Sequence, residues 1–521
     1  MTTTPAKGIG KIIFSSSLGT LIEWYDFYIF GMLAKTISIQ FFPEGNNTAA
    51  LLSTLAIFAA GFLVRPFGAL VFGRLGDLIG RKYTFLLTLV LMGGSTFLIG
   101  LVPGYKTIGI AAPLLVLLLR LIQGLALGGE YGGAATYVAE HAPKGKRGYY
   151  TSWIQTTATL GLFVALGIIM LVKANMSDAS FNAEWGGWRY PFWISILLVG
   201  VSIYIRLKMS ESPLYTALKK EGKTSTNPLK ESFGHKTNFK MVLLALFGAV
   251  MGQGVIWYTG QFYAQSFLEN TVKLDFIQNR EILLWAIGLA TPFFLFFGWL
   301  SDKVGRKWIM LTGMLLGVIF YRPIFNTFLK DADTKEWIKQ GIEIKEYPHI
   351  EQQPVKTDSI EQRDKPMLVI IEHSKSVFTF IDGRKFTAIS ADTMQHWPYN
   401  VTVNLDEKII YKDKILNTSL KWKFILLVWI MIIFVTMAYG PIAAFLVELF
   451  PTKIRYTSMS LPYHIGNGVF GGLVPFIATL LATTFTTDPL VGLWYPIGVA
   501  ALCFIIGALY LSNKIDKDVN D

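Results

Sequence analysis

Apolar stretches about as long as a bilayer is thick decide what this chain can fold into. LLSTLAIFAAGFLV, FLLTLVLMGGSTFLIGLV and LLVLLLRLIQGLALGG are three of many, with polar loops between them. A helix needs roughly 20 apolar residues to cross hydrocarbon. Of the 521 residues 52% are hydrophobic and only 16% charged, whereas a soluble domain carries about 25% charged residues. The pattern predicts spans near 12–34, 49–72, 83–102, 113–139, 151–173, 188–208, 240–267, 282–300, 308–326, 422–446, 457–481 and 490–513. The single cysteine, Cys503, lies in one of them and excludes an internal disulfide framework. MTTTPAKGIGK leads into a span holding Glu23 and Asp26, with no A-x-A-like site after it. That predicts a retained first helix, not a cleaved signal.

A nominal charge of +12 invites a nucleic-acid reading, but the basic residues sit in alternate loops. Arg74, Arg81 and Lys82 follow the second span, and Lys144, Lys146 and Arg147 the fourth. Arg206, Lys208, Lys219, Lys220, Lys223, Lys230, Lys236 and Lys240 follow the sixth, and Lys303, Arg306 and Lys307 the eighth. Lys106 alone follows the third. Positive loops stay inside, which puts the even-numbered loops and both termini in the cytoplasm. Trp185, Trp188, Tyr190 and Trp193 bracket the outer start of the sixth span as an aromatic belt.

The sequence repeats itself. GRLGDLIGRK at 73–82 recurs as GWLSDKVGRK at 298–307, both following an even-numbered span. AEHAPKGKR at 139–147 and VELFPTKIR at 447–455 share E-x-x-P-x-x-x-R. From Asp77 to Glu140 is 63 positions and from Asp302 to Glu448 is 146, so 83 extra residues lie in the second half. Composition places them after the ninth span, outside the cytoplasm. The predicted division is 1–208, a linker 209–239, 240–328, an insert 329–421, and 422–521. The insert opens with polar KDADTKEWIKQGIEIKEYPHIEQQP and continues with the β-rich runs MLVIIEH and VFTFIDGRKFTAIS. Asp382-Gly383 between apolar residues is a hairpin signal. A small α+β or β-hairpin module follows. His349, His373 and His396 are scattered, with no cysteine nearby, so no metal site is expected. The insert could dock an extracytoplasmic partner.

Charges at membrane depth are costly and face a cavity or a partner. Glu23 and Asp26, three apart, share a face of the first helix, flanked by Trp24 and Tyr25. Arg120 lies about two turns into the fourth helix, with Gln123 on its face and Glu130 returning to nearly that face. These arginines, with Arg65 nearer the cytoplasmic end, contact substrate or pin helices together as paired charges. Gly124, Gly128 and Gly132 form a small-xxx-small face for close helix approach, while Gly129 and Gly133 could leave room for cargo.

The second half carries fewer buried charges. Its seventh span presents Gln253, Trp257, Tyr258 and Gln261, and its eleventh Tyr463, His464 and Asn467. His464 is the only histidine in a span, and is a hydrogen-bonded helix contact or a proton carrier. A charged first half facing an aromatic and amide second half suits an anionic or zwitterionic metabolite under proton coupling. Coupling needs a carboxylate that burial can keep neutral, which nominates Glu23, Asp26 and Glu130, with His464 next. The GRK loops lack the G-x-x-x-x-G-K-[ST] cradle of a nucleotide site and read as a duplicated charged latch between helices.

The duplicated G-x-L-x-D-x-x-G-R-K resembles the signature loop of the major facilitator superfamily. GTLIEWYDFYIFG, FLVRPFGALVFGRLGDLIGRK and RLIQGLALGGEYGGAATYVAEHAP resemble its metabolite:proton symporter branch, which includes permeases for α-ketoglutarate, proline and betaine, shikimate, citrate and dicarboxylates. The resemblance covers the chain except the insert. It implies an all-α membrane protein of two six-helix bundles, with a central site between them and alternating access. It also implies a latch of Asp77 and Arg81 with Asp302 and Arg306. Arg65, Gly73, Gly80, Gly305, Glu140, Arg147, Glu448 and Arg455 are assigned with that latch. The expected substrate-binding residues are Tyr25, Arg120, Gln123, Gln253, Trp257, Tyr258, Gln261 and Asn467.

The expected function is proton-coupled import of a small carboxylate or zwitterion across a bacterial inner membrane, the bacterial assignment coming from the family. No cofactor or nucleic acid is implied. A nutrient sensor on the same fold is disfavoured by the little long cytoplasmic material, and an enzyme by the want of a catalytic constellation. A uniporter or antiporter stays open.

Overall fold

The computed structural model describes residues 9–79, 81–128, 135, 138, 139, 142, 143, 145–207, 234, 236–340, 344–346, 351–362, 365–396, 402–450 and 455–512. Eight helices among them are long and apolar enough to cross a membrane: Asn47–Phe72, Arg147–Ala174, Lys236–Asn270, Phe276–Val304, Arg306–Asp331, Thr418–Leu449, Thr457–Thr484 and Val491–Tyr510. Two shorter apolar helices are Leu86–Ile99 and Ala111–Leu127. The first helix runs Ile9–Met32.

Two compact units emerge. The larger comprises 1–264, 284–323 and 428–521. In it the helix Ile9–Met32 packs on Arg147–Ala174 and Tyr190–Leu207, and Asn47–Leu63 packs on Ala111–Leu127. The second contact is glycine-mediated. A Cβ on Gly124 would overlap the Gly61 carbonyl, and one on Gly128 the Arg65 carbonyl. The four-residue glycine spacing is thus a packing face here. Gly129, Glu130, Gly132 and Gly133 lie outside the described residues.

The helix Lys236–Asn270 carries two π-helical stretches, Leu246–Val250 and Thr259–Tyr263, and the eleventh predicted span a third, Ile465–Gly471. Such turns frequently mark functional positions in membrane and soluble helices alike. Gln261 sits in the second and Asn467 in the third. Gly254 lets the two helices touch, since a Cβ there would stand 2.6 Å from the Gly466 carbonyl.

The smaller unit comprises 265–283 and 324–427. It holds an antiparallel sheet of β1 (Ile344–Glu346), β2 (Glu351–Gln362), β3 (Lys365–Phe380), β4 (Lys385–His396) and β5 (Thr402–Ile415). β3, β4 and β5 pair in sequence order, and β1 and β2 pair with opposite ends of β3. The runs MLVIIEH and VFTF, separate in the sequence reading, form one strand, because Ser374, Lys375 and Ser376 continue the ladder against Ser390, Ile389 and Ala388. Gly383 closes the β3–β4 turn at φ +87°, donating its amide to Phe380 O at 3.0 Å. Trp337, Phe380, Phe386 and Tyr411 supply ring contacts for a small core. The sheet's C-terminal end returns to the 273–278 segment. Asp275 N donates to Lys414 O, Lys414 N to Lys273 O, and the Gln278 amide bonds Leu416 in both directions at 2.9 and 2.6 Å.

Candidate functional site

Helical periodicity brings Trp24, Phe27 and Tyr28 of the first helix together at three- and four-residue spacing. Trp24 stacks on Tyr28 with centroids 5.0 Å apart, and both lie against Trp257 at 6.0 and 5.6 Å. Phe262 joins Tyr28 at 5.2 Å, and Phe62 meets Tyr258 edge-on at 5.0 Å. An aromatic cluster therefore joins residues from the first and second halves, and all seven of these side chains are buried.

Two arginines enter this cluster. Arg120 is fully buried. Its Nη1 donates to the Gln123 side-chain oxygen and, at 3.4 Å, to Phe27 O. Gln123 is locked in turn by Asp26 O at 3.0 Å and the Thr96 hydroxyl at 2.7 Å. The Arg120 guanidinium lies 4.0 Å from the Phe27 ring centroid, while its Nε and Nη2 have no hydrogen-bond acceptor among the described residues. Arg65, expected with the latch, is placed elsewhere. Its guanidinium lies 4.1 Å from the Phe62 centroid and 4.4 Å from that of Phe27. The reason is distance along the helix Arg65–Ile79: twelve residues at 1.5 Å separate Arg65 from Asp77 by roughly 18 Å.

The second-half face is polar where the helices bulge. Asn467 donates to the Gln253 side-chain oxygen at 2.9 Å. Both side-chain polar atoms of Gln261 are buried without a hydrogen-bond partner among the described residues. The Tyr439 and Tyr463 hydroxyls share a hydrogen bond at 2.7 Å, and His464 packs edge-on against Tyr463 at 5.4 Å. Tyr25 points away from this face, its hydroxyl donating to Pro191 O at 2.8 Å. Asp26 is fully buried with its carboxylate toward Gly93. The Glu23 side chain and all of Glu130 lie outside the described residues.

The second GRK loop carries a hydrogen-bonded ion cluster. Asp302 accepts the backbone amides of Gly148 and Tyr149, both at 2.8 Å, at the start of the helix Arg147–Ala174. A carboxylate at a helix N-terminus meets free N–H groups and the positive dipole end. Arg306 holds that carboxylate at 2.7 Å and Glu448 at 3.0 Å. Gly305, at φ +99°, makes the turn between the two helices. The side chains of Asp77, Arg81 and Arg455, with Gly80 and Glu140, lie outside the described residues, and Gly73 is described only as backbone within the helix Arg65–Ile79.

The sequence reading passed over Tyr28, Phe62 and Tyr439. Tyr28 had a signal, the Trp24-x-x-x-Tyr28 spacing on one helical face. It also missed the buried pair Arg280–Glu269, 3.0 Å apart, and Arg189, which donates to Gly100 O and Val102 O just past the helix Arg81–Ile99.

A family model described as "Sugar (and other) transporter" matches residues 12–240. The inner membrane metabolite transport protein YhjE of Escherichia coli (strain K12) is 31% identical over 516 residues, 98% of this chain and 96% of that protein. The chain belongs to the major facilitator superfamily, among its metabolite transporters. This transporter is also 38% identical to the α-ketoglutarate permease of the same organism over 316 residues, 60% of this chain and 71% of that protein. A proline/betaine transporter of E. coli matches at 34% over 325 residues, 60% of this chain and 64% of that protein. Among solved structures, the xylose transporter XylE of E. coli in a partially occluded inward-open conformation has the same fold. The TM-score is 0.62 over 97% of this transporter and 98% of that chain, at 15% identity. It is a multi-pass membrane transporter of small molecules, not an enzyme.

Proposed function

We propose that this transporter imports a small carboxylate with protons, by alternating access, across a bacterial inner membrane. The observation that carries the reading is Arg120: a fully buried guanidinium, oriented by Gln123, with two nitrogens that have no acceptor among the described residues. Burying an uncompensated charge costs several kcal/mol, and a substrate carboxylate offsets that cost through two parallel hydrogen bonds. Asp26, a fully buried carboxylate on the first helix, is the first candidate to exchange the proton; Glu23, Glu130 and His464 are the others. Twelve spans, cytoplasmic termini and an extracytoplasmic insert complete the reading, supported by the alternation of basic loops. The test is proteoliposome uptake of radiolabelled organic acids and betaines with an imposed pH gradient. Accumulation of a carboxylate that collapses with a protonophore is the expected result. Uptake indifferent to the gradient overturns the coupling, and a purely cationic or neutral substrate overturns the class.

A further inference from the structure

Arg65 lies among aromatic rings, away from the described latch residues Asp302, Arg306 and Glu448. Its guanidinium is buried among Trp24, Phe27 and Phe62, and its Nε and Nη2 have no hydrogen-bond acceptor among the described residues. Aromatic faces attract a guanidinium but accept none of its in-plane donors well. The same Phe27 ring carries Arg120 at 4.0 Å and Arg65 at 4.4 Å. The two guanidinium carbons are therefore no farther apart than those two distances laid end to end. Both carboxylates of one short, bent diacid can engage two cations that close together.

The groups around the pair are donors. The hydroxyls of Tyr28 and Tyr258 and the indole nitrogen of Trp257 are buried without hydrogen-bond partners among the described residues, and the two tyrosine rings lie 5.0 Å from Trp24 and Phe62, the rings that Arg65 touches. Two cations and three neutral donors complement a molecule with two anionic ends. A quaternary ammonium would find aromatic faces here, but also two guanidiniums repelling it.

We propose that Arg65 is a second carboxylate anchor beside Arg120, and that the pair selects a short-chain dicarboxylate over monocarboxylates and zwitterions. The proposal rests on the reading that this cluster is the substrate site. The experiment is competition for uptake in proteoliposomes between succinate or 2-oxoglutarate and the corresponding monomethyl ester. The wild type should prefer the diacid by about a hundred-fold, as expected when one buried charge loses its partner. Arg65→Gln should erase most of that preference by weakening diacid binding while leaving the monoester nearly unchanged, and Arg65→Lys should restore part of it. A wild type that takes both compounds equally, or prefers a betaine, overturns this proposal without needing any variant, and in the case of the monoester leaves proton-coupled carboxylate import standing. Retention of the full preference by Arg65→Gln also overturns it. A wild type that moves no carboxylate at all sinks the underlying functional reading instead.

Discussion

Asp302 accepts the backbone amide of Gly148 at 2.8 Å across 154 positions of sequence. The contact ties the loop of one repeat to the start of a helix in the other half. Gly148 is required for it, because a Cβ there would stand 2.5 Å from Ser301 Oγ and 2.7 Å from Arg306 Nη1. Ser152, one turn along, packs against Gly298, so the helices close on glycines at both points.

Removing the carboxylate should loosen this closure. A charge at a helix end contributes about 0.3–1 kcal/mol when exposed and up to ~2 when partly buried, and Asp302→Ala also leaves Glu448 and the Ser301 hydroxyl as the partners of Arg306. We expect slower transport and a population shifted toward the state open at this end. In a Cys503→Ser background, Ser152→Cys should gain maleimide reactivity when Asp302→Ala is added. Unchanged labelling would show that the contact does not hold the closed state.

Arg120→Lys keeps the charge and loses the planar fork. Nη1 alone donates to Gln123 and Phe27 O, which leaves Nε and Nη2 as a planar edge for a carboxylate, an edge that one ammonium does not reproduce. The apparent KM for substrate should rise about ten-fold or more while the protein still inserts. Wild-type kinetics in that variant would rule Arg120 out as the anchor.

Asp26→Asn should separate coupling from movement. The substitution preserves shape, and the main-chain carbonyl that holds Gln123 is untouched. Gradient-driven accumulation should disappear while exchange of labelled for unlabelled substrate persists. If accumulation survives in Asp26→Asn, Glu23→Gln and Glu130→Gln alike, His464 carries the proton.

Much of this was legible in the sequence because hydrocarbon imposes a simple rule. Length and apolarity announce spans, and a duplicated G-x-L-x-D-x-x-G-R-K announces two halves. The Asp302–Arg306–Glu448 cluster followed from those repeats. Arg65 did not, because a one-dimensional reading ranks a charge by its distance from the span end, whereas its contacts depend on which rings surround it. Tyr25 was misjudged for the same reason: neighbouring positions on a helix point about 100° apart, so Tyr25 reaches Pro191 while Trp24 and Tyr28 reach Trp257. The π-helical turns at Gln261 and Asn467 leave no periodicity signal, since each is a single insertion in an otherwise regular pattern. The sheet's hairpin was visible in Asp382-Gly383, but the polar segment before it gave no cue to β2.

Lys414 gives the smaller unit a pH signature. Burial pushes its ammonium down to about 8 from the usual 10.5, with Asp333 opposing and Lys273 assisting the shift. Its folded-state value is depressed, so between those two values the unfolded chain binds more protons than the folded one, and stability rises with pH across that window. Thermal melting should show the gain between pH 8 and 10.5, and Lys414→Met should flatten it by removing the titrating group. A variant that keeps the full slope would assign the effect to another residue.

The last expectation concerns the sheet between residues 344 and 415. Its ends are fixed by backbone and amide bonds from Lys273, Asp275 and Gln278 to Lys414 and Leu416, all near the point where its chain leaves and rejoins the helices. Closing that gap with a linker costs little, because loop entropy grows only logarithmically with length. Replacing residues 341–401 with a Gly/Ser linker removes most of the sheet and keeps Lys414 and Leu416. We expect a membrane-inserted protein with measurable transport. A fall in affinity at constant maximal rate would identify the sheet as a capture module, and unchanged kinetics in vesicles as a docking platform. Its side of the membrane is testable at Ile381, the turn residue that is 60% exposed. Ile381→Cys in the Cys503→Ser background should react with a membrane-impermeant maleimide in intact spheroplasts. Reaction only after lysis would place the sheet in the cytoplasm, and would overturn both the orientation drawn from the basic loops and the count of spans that depends on it.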